Sequence, residues 1–384
     1  MTAATIQPYE LYSDAPGFLL NKPEWEQANA AHPETFDFGS PPRGWPVKFT
    51  GPDVWTSDYL EQNPNLYIKI LSEDEINEID SAIKVIAFLG INAWIGDRRL
   101  NQGAGRGVCH IKVSRLVLIT YFSNAKQFFQ SITHLDPSQR GKIYVSAQDT
   151  NAQMYHSDAG GDVVSLMAVS LTGTGGASTV VSAGQVYNHL AQHRPDIARL
   201  LAERKFRWRA NGIPEDGVRL IHNQDNKLFL NFSTRTFIGY GELPDRDRDY
   251  PLLTFEEREA FGGWQWAAEQ YSLKTELEVG DIEWVNNLHH QHARRGFTED
   301  ISNPRHLLRV WLTDSEHAPQ LPTDIKNKFD AMFDSEPDFY PLDEIEEDQK
   351  RRATGVFTGS CKDDLAAERL QNGGIDGTNQ KLTR

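Results

Sequence analysis

The sequence predicts an α+β protein with a mainly β core, built as an antiparallel sandwich or barrel with helices before and between its strands. Several segments are too short for helices and rich in β-branched or aromatic residues, which is typical of strands. These segments are Val163–Leu171, Ser178–Ala183, Val218–Ile221, Lys227–Phe232, Asp281–Val285 and Leu307–Leu312. Asp225-Asn226 lies where a hairpin turn would join two of them. No glycine-rich phosphate loop follows a strand, so nothing favours a dinucleotide-binding or P-loop fold.

Helix caps and helical periodicity indicate the helices. Ser72 with Glu75, and Thr254 with Glu257, each have the spacing of a capping box ahead of apolar residues. The predicted helices run from Ser72 to Leu89 before Gly90, from about Gln185 to Glu203 with an interruption at Pro195, and from Thr254 to about Tyr271. Between these segments the periodicity changes to that of strands, which keeps the helices outside a β core.

Three regions are expected along the chain. Residues 1–65 are rich in Pro, Gly and Trp, which predicts an irregular arm packed on the core. Residues 66–342 hold the predicted strands and helices and form the expected main domain. Residues 343–384 turn polar and charged, which predicts a disordered tail.

Charge and composition narrow the function. The 384 residues include 39 Lys and Arg against 54 Asp and Glu, a formal net charge of −15. Nucleic acids and anionic membranes require a basic patch, so neither is expected as a partner. Cys109 and Cys361 are too few for a disulfide framework or a cysteine-rich zinc module. The start lacks a secretory pattern and no apolar run reaches about 18 residues, so a cytoplasmic protein is expected, with its oligomeric state left open.

The first candidate for chemistry is Tyr155-His156-Ser157-Asp158. In a strand, residues i and i+2 share a face, so His156 and Asp158 would converge on one point. An imidazole and a carboxylate are half of the 2-His-1-carboxylate set that suits non-haem Fe(II). The motif alone is weak, because a chance His-x-Asp is expected about once at this length. A second one, His134-Leu135-Asp136, is followed by Pro137 and indicates a turn.

Later segments could complete such a site. Thr172–Thr179 is rich in glycine, Asn286–Arg294 contains three histidines, and Arg305–Leu312 places arginines on an apolar strand. The metal would need a third protein ligand, and a guanidinium can hold the far carboxylate of a dicarboxylate co-substrate. His290 and His292 would share a strand face, so periodicity alone does not choose between them.

Together these motifs resemble the taurine dioxygenase-like (TauD/TfdA, clavaminate synthase-like) Fe(II)/2-oxoglutarate-dependent oxygenases. The matching segments occur in the family's order: His156-x-Asp158, Gly175-Gly176-x-Ser178, His292-Ala293-Arg294 and the Arg305–Arg309 strand. The resemblance covers roughly residues 154–312, and its motifs are specific in combination. It implies a double-stranded β-helix (jelly roll) with flanking helices.

The resemblance also implies the cofactors and the site. Fe(II) is expected as the metal, with 2-oxoglutarate and O2 as co-substrates. The implied metal ligands, which are also the catalytic residues, are His156, Asp158 and His292. The far carboxylate of 2-oxoglutarate is expected to bind Arg309, helped by Ser178, with Arg305 as the competing anchor. His289, His290 and Gln291 would then either line the substrate pocket or hydrogen-bond to loops.

The expected function is a dioxygenase that oxidises an unactivated C–H of a small substrate and releases succinate and CO2. Hydroxylation, desaturation and cyclisation all fit. An amino acid or another carboxylate is favoured, because Arg294 and Arg295 follow the distal histidine. The alternative is a catalytically silent jelly roll that binds a ligand or a partner. A zinc hydrolase with the same ligands would leave the Arg309 strand unexplained.

Two segments depart from the family pattern. The helix ending near Leu89 runs directly into Gly90–Gly96, where the resemblance implies an intervening first core strand, and Val113–Gln130 has the character of an insertion. We hypothesise that the translated sequence omits one exon and retains one intron. Sequencing the transcript is expected to show extra codons before Gly90 and none for Val113–Gln130; reads that match this chain across both junctions would contradict the hypothesis.

Overall fold

The computed structural model describes part of the chain. The described residues are 38–77, 108–112, 126–133, 150, 152–171, 173–208, 213–238, 250–251, 253–298, 300, 302, 304–313 and 319–333. The strands are β1 (Ile68–Ile70), β2 (Val108–Lys112), β3 (Lys126–Thr133), β4 (Gln153–His156), β5 (Val163–Ser170), β6 (Ser178–Ser182), β7 (Ile221–Gln224), β8 (Lys227–Leu230), β9 (Leu273–Thr275), β10 (Ile282–Asn286), β11 (His290–Arg294) and β12 (His306–Thr313). The helices are α1 (Ser57–Glu61), α2 (Ala183–His193), α3 (Pro195–Glu203), α4 (Arg235–Ile238), α5 (Phe255–Tyr271) and α6 (Thr323–Phe333), with a short 3-10 helix at Pro64–Leu66.

Two sheets form the core of the described structure. The larger sheet has the strand order β1-β2-β10-β5-β12-β3, and the smaller sheet has the order β4-β11-β6-β9. Their neighbouring strands are antiparallel except for β1 and β2, which are parallel. The chain passes back and forth between the two sheets from β4 through β6, and again from β9 through β12. This confirms the predicted mainly β core and its double-stranded β-helix topology.

The smaller sheet separates the helices from the interior between the sheets. Along β6, Val181 belongs to the cluster formed with α2, α3 and α5, whereas Val180 packs with Val285 of the larger sheet. Along β11, Ala293 faces the same helices, so its neighbour His292 faces the interior. The alternation of side chains in these two strands therefore decides which residues reach the site.

A glutamine on α5 holds β4 at the edge of the smaller sheet. Gln265 is fully buried, its Oε1 accepts from the backbone N of Tyr155 at 2.9 Å, and its Nε2 donates to the Tyr155 carbonyl at 2.8 Å. The same Nε2 lies 2.8 Å from Thr234 Oγ1. The side chain thus pairs with β4 as a neighbouring strand would, and it fixes the strand that carries His156.

Residues 38–56 lie along α2 and the end of β6. The backbone of Phe49 exchanges hydrogen bonds with the Asn188 amide, whose Oδ1 accepts at 2.7 Å and whose Nδ2 donates at 2.9 Å. The hydroxyl of Ser182 donates to the Asp53 carbonyl at 2.7 Å, and Trp55 stacks on His290. These contacts seat this part of the arm on the domain. The division of the chain at residues 65 and 342 stays a prediction.

The predicted helices largely match the structure. Both capping boxes are present, and α5 runs from Phe255 to Tyr271 as expected. The segment predicted from Gln185 to Glu203 is divided into α2 and α3 at Arg194, ahead of Pro195. For the helix predicted after Ser72, residues 73–77 are helical, and the remainder to residue 89 lies outside the described residues.

The predicted strands match less uniformly. The hairpin at Asp225-Asn226 is confirmed, and both residues have positive φ (53° and 58°), as a type I′ turn between β7 and β8 requires. The strand predicted at Val218–Ile221 is wrong in position, because β7 begins only at Ile221 and Val218 forms an isolated bridge with Phe206. The backbone there pairs outside the main sheets, which an apolar run does not reveal.

The segment predicted to be an insertion contributes to the larger sheet. Its last residues, 126–130, form the first part of β3, which pairs with β12 along eight residues at the sheet edge. Residues 113–125 and the junction at Gly90 lie outside the described residues. The hypotheses of a missing first core strand and of an inserted segment stay predictions. Within the described part, no helix is long and apolar enough to cross a membrane.

The Gln265 pairing predicts a stability effect. Gln265→Met removes three buried hydrogen bonds at similar side-chain volume and leaves the backbone N–H and C=O of Tyr155 without their partner, so the free energy of unfolding should fall by about 2–4 kcal/mol. Gln270→Met, at an exposed position of the same helix, should change it by less than about 0.5 kcal/mol. Urea unfolding followed by circular dichroism measures both, and equal midpoints would contradict the role of Gln265.

Candidate metal centre

Three side chains converge between the two sheets. His156 ends β4, Asp158 follows two residues later, and His292 lies in β11, directly opposite His156 in the strand register. The ligand atoms of the three residues lie within 4.8 Å of one another, and the two imidazole rings are 4.3 Å apart. Asp158 and His292 are buried, at 1% and 6% of full exposure, and the His156 side chain is 12% exposed. The prediction that His156 and Asp158 share one strand is wrong in detail, because β4 ends at His156 and Asp158 begins the turn that follows.

The orientation of the His156 ring is fixed by its own strand. Its Nδ1 lies 2.7 Å from the Met154 carbonyl, which can only accept a hydrogen bond, so Nδ1 carries the proton. In the neutral ring this leaves a lone pair on Nε2, which lies 3.5 Å from Asp158 Oδ1. Metal-binding histidines are commonly oriented by such a bond from the second ring nitrogen.

The Asp158 carboxylate receives hydrogen bonds from the larger sheet. Trp311 Nε1 donates to Oδ2 at 2.7 Å, and Arg309 Nη1 lies 3.3 and 3.2 Å from Oδ1 and Oδ2. Burial alone would raise the pKa of Asp158, but Arg309, together with His156 and His292, outweighs burial and holds that pKa well below its usual range. The group is therefore an ionised carboxylate at neutral pH.

Two asparagines hold the backbone of Asp158. Asn287 Oδ1 accepts from the Asp158 backbone N at 2.8 Å, and Asn287 Nδ2 donates to the Asp158 carbonyl at 2.9 Å. Asn231 Nδ2 donates to the same carbonyl at 2.7 Å. Sequence analysis missed both residues: Asn287 stood in the quoted histidine segment without a role, and Asn231 follows β8 with no motif to indicate one.

His292 supplies the third ligand in its neutral form. Burial, reinforced by the neighbouring His156, lowers the pKa of His292 to about 3. Its Nδ1 is buried without a hydrogen-bond partner among the described residues. Two imidazoles and one ionised carboxylate, with an unsatisfied buried nitrogen on His292, fit a divalent metal ion, and this donor set is typical of non-haem Fe(II).

The predicted anchoring residues lie on both sides of this centre. Arg309 touches Asp158, as described above, whereas Arg305 lies against the glycine-rich turn, with Nη2 3.4 Å from the Gly176 carbonyl. Ser178 begins β6, where it pairs with Arg294 of β11, one inward-facing position beyond His292. All three anchoring side chains are buried, Ser178 at 6%, Arg305 at 5% and Arg309 at 3% of full exposure.

The other residues around the distal histidine have structural contacts. His289 Nδ1 lies 2.6 Å from the Leu228 carbonyl, and Gln291 bonds Trp264 and the Phe232 carbonyl. Of the two open alternatives, these contacts favour bonding to neighbouring backbone and side chains over lining a pocket. His290 stacks on Trp55 at 5.5 Å.

The arginines that follow the histidine are also engaged. Arg295 forms an ion pair with Glu269 of α5. Arg294 lies 4.7 Å from the centre of the Phe297 ring. Arg295 is therefore already paired and does not support a carboxylate substrate. Of the two arginines on which that expectation was based, Arg294 remains.

A jelly roll that buries two histidines and one carboxylate on a common inner face defines the class of non-haem Fe(II) oxygenases. The profile of the taurine catabolism dioxygenase TauD, TfdA family matches residues 104–311, more than half of the chain and all three ligands. The chain therefore belongs to the TauD/TfdA family of dioxygenases, as the order of its motifs predicted.

Curated relatives extend the match. The chain is 32% identical over 253 residues to the taurine hydroxylase-like protein SAT17 of Stachybotrys chartarum, covering 65% of this chain and 61% of SAT17. It is 27% identical over 199 residues to FR-33289 synthase of Streptomyces rubellomurinus, covering 47% and 55% respectively. The matched region thus spans less than two thirds of either relative.

Two solved oxygenase structures are similar to this chain at low sequence identity. Asparagine oxygenase in complex with Fe(II), 2S,3S-3-hydroxyasparagine and succinate is 12% identical, with a TM-score of 0.48 over 64% of this chain and 93% of that one. The non-haem iron oxygenase OrfP with Fe and alpha-ketoglutaric acid is 12% identical, with a TM-score of 0.40 over 64% and 93%.

The neutral, buried His292 predicts a pH dependence of stability in the metal-free protein. The pKa of His292 is about 3 when folded, against 6.5 for the free side chain, so the unfolded chain binds the extra proton first as pH falls. This residue alone should lower the free energy of unfolding by about 2 kcal/mol between pH 7 and pH 5, because stability is lost below the unfolded pKa.

Urea unfolding between pH 7 and pH 5 tests this expectation. His292→Gln should reduce the pH slope, and Gln192→Ala, at an exposed position of α2 without a titrating group, should leave it unchanged. A slope in the His292 variant equal to that of the wild-type protein would show that this histidine is not held neutral by the fold.

Proposed function

We propose that the protein is an Fe(II)- and 2-oxoglutarate-dependent dioxygenase that oxidises an unactivated C–H bond of a small molecule. The observation that carries the proposal is the buried set of His156, Asp158 and His292, whose ligand atoms lie within 4.8 Å of one another. Three protein ligands leave coordination positions open for a co-substrate and O2. For hydroxylation the balance is R–H + O2 + 2-oxoglutarate → R–OH + succinate + CO2.

The bound metal would supply O2 activation coupled to oxidative decarboxylation of 2-oxoglutarate; the protein supplies position and a dry environment. Trp311 and Arg309 hold the carboxylate of Asp158, and the Met154 carbonyl holds the ring of His156. Every one of these partners is buried or lies on a buried strand, so the ligands keep one arrangement without competition from water.

The anchor for the far carboxylate of 2-oxoglutarate is proposed among Arg309, Arg305 and Ser178. Arg309 pairs with Asp158, which keeps its guanidinium beside the proposed metal centre. Ser178 pairs with Arg294 one inward-facing position from His292, a step of about 7 Å along the strand. That step matches the length of a metal-chelated dicarboxylate. Arg305, which contacts the turn before Ser178, therefore competes seriously with Arg309.

The substrate is proposed to be a small anionic molecule, such as an amino acid or another carboxylate. Arg294, which follows the distal histidine and is 7% exposed, supports this, because a guanidinium can bind a carboxylate through paired hydrogen bonds. The similarity to the taurine hydroxylase-like protein SAT17 adds sulfonates, since taurine carries one. Hydroxylation, desaturation and cyclisation remain alternatives for the outcome.

The metal centre predicts a spectroscopic and a kinetic result. Anaerobic addition of Fe(II) and 2-oxoglutarate should produce a weak visible charge-transfer band, and in air the protein should form succinate slowly without substrate. Asp158→Ala should abolish both, because it removes the anionic ligand. Asp216→Ala, at an exposed carboxylate, is the matched control and should leave both unchanged. A folded wild-type protein with neither signal would instead be a silent jelly roll.

The two arginines predict separable effects on 2-oxoglutarate. Replacing the true anchor by Gln should raise the KM for 2-oxoglutarate about tenfold or more, because a charge-assisted pair with a buried carboxylate contributes about 1.5–3 kcal/mol. We expect Arg309→Gln and Arg305→Gln to differ clearly when succinate formation is measured against 2-oxoglutarate concentration. Equal, unchanged KM values would exclude both residues as the anchor.

Screening amino acids and taurine for faster succinate release then tests the substrate class.

A further inference from the structure

Helix α6, the last helix within the described residues, packs behind the turn that carries Asp158. Ile325 and Phe329 of α6 share one buried cluster with Trp311 and with Ala159, the residue after Asp158. At the start of α6, the Asp324 carboxylate accepts hydrogen bonds from the backbone N and the Nε of Arg219. These bonds fix that end of the helix. This helix lies beyond residues 104–311, so the family profile does not include it.

One lysine of this helix points inward. Lys328 is 6% exposed, and its Nζ lies 2.5 Å from Asn231 Oδ1 and 5.4 Å from the centre of the Trp208 ring. Burying a lysine is costly unless its donors are satisfied. The other lysine of this helix, Lys326, faces outward and pairs with Asp330 on the surface.

The contact with Lys328 decides which way the Asn231 amide points. A lysine can only donate, so the amide oxygen must face Nζ and the amide nitrogen must face the other way. That nitrogen is 2.7 Å from the Asp158 carbonyl. A flipped amide would set two carbonyl oxygens against each other and aim N–H at the ammonium group, so the observed orientation is strongly favoured.

We propose that Lys328 is a positioning residue for the metal centre, acting through Asn231 on the backbone of Asp158. The inference rests on the proposed metal site and deepens it: a helix outside the matched family region sets the position of the anionic ligand. Asn287 donates to the same carbonyl, so the loss of Lys328 loosens the turn without freeing it.

Affinity for Co(II), with its visible bands as the spectroscopic signature of the ligand set, tests the proposal in the full-length protein. Lys328→Met keeps the volume and removes the donor, and its Kd for Co(II) should rise about tenfold, the lower end for outer partners of metal ligands. Removing a positive charge near a cation site would by itself tighten binding. A weaker affinity with altered bands is therefore the result that positioning predicts and electrostatics opposes.

Lys326→Met is the matched control, since it removes the same charge from the exposed face of α6 and should leave Kd unchanged or slightly lower. Unchanged or tighter Co(II) binding by Lys328→Met would overturn the inference while leaving the metal centre intact. No Co(II) binding by the folded wild-type protein would overturn the metal centre itself, and the inference with it.

Asn231→Asp provides a second test that does not depend on how Lys328→Met folds. The new carboxylate can pair with Lys328, but its second oxygen faces the Asp158 carbonyl and cannot donate to it. In the variant, shown to be folded by circular dichroism, Kd for Co(II) should rise, although the added negative charge alone would lower it. A Kd at or below the wild-type value would contradict the proposed relay.

Discussion

The site depends above all on how the backbone of Asp158 is fixed. The residue lies past the end of β4, where no strand pairing determines its position, yet its carboxylate must stand beside two histidines. Asn287 takes over the role of a neighbouring strand by bonding both its N–H and its carbonyl. A carboxylate on an untethered turn would lose conformational entropy on every metal-binding event, so this pre-organisation is what makes a three-residue ligand set effective.

The surroundings of the two histidines follow from the same constraint. His156 and His292 face each other because β4 and β11 pair in register, and β4 stays in place because Gln265 pairs with its free edge. Burial then keeps His292 neutral, which costs stability in acid but keeps a lone pair for a metal at neutral pH. Helix α5, which lies outside the smaller sheet, therefore influences the site through β4, the strand that ends at His156.

Much of the fold and the ligand set could be predicted from the sequence. The His156-x-Asp158 pattern and the later histidine are metal-binding residue types in short motifs, so they could be recognised from the sequence alone. The capping box at Thr254 likewise indicated where a helix begins. The contacts of Asn231 and Asn287 could not be predicted, because each joins residues 73 or 129 positions apart and asparagine occurs widely in turns. The predicted position of β7 was wrong for a different reason. Its pairing with β8 is local, but the apolar content of the segment does not fix where the strand begins.

The distances along the chain between these partners also determine when the site can form. Asp158 is hydrogen-bonded by Asn287 and Arg309, which lie 129 and 151 positions later in the chain. Its other partner, Asn231, is itself bonded by Lys328, 97 positions after Asn231. A chain emerging from the ribosome therefore completes β4 to β6 long before the residues that pin Asp158 exist. Contacts of such long range fold slowly. The set of residues that hold the centre is thus complete only after synthesis of α6.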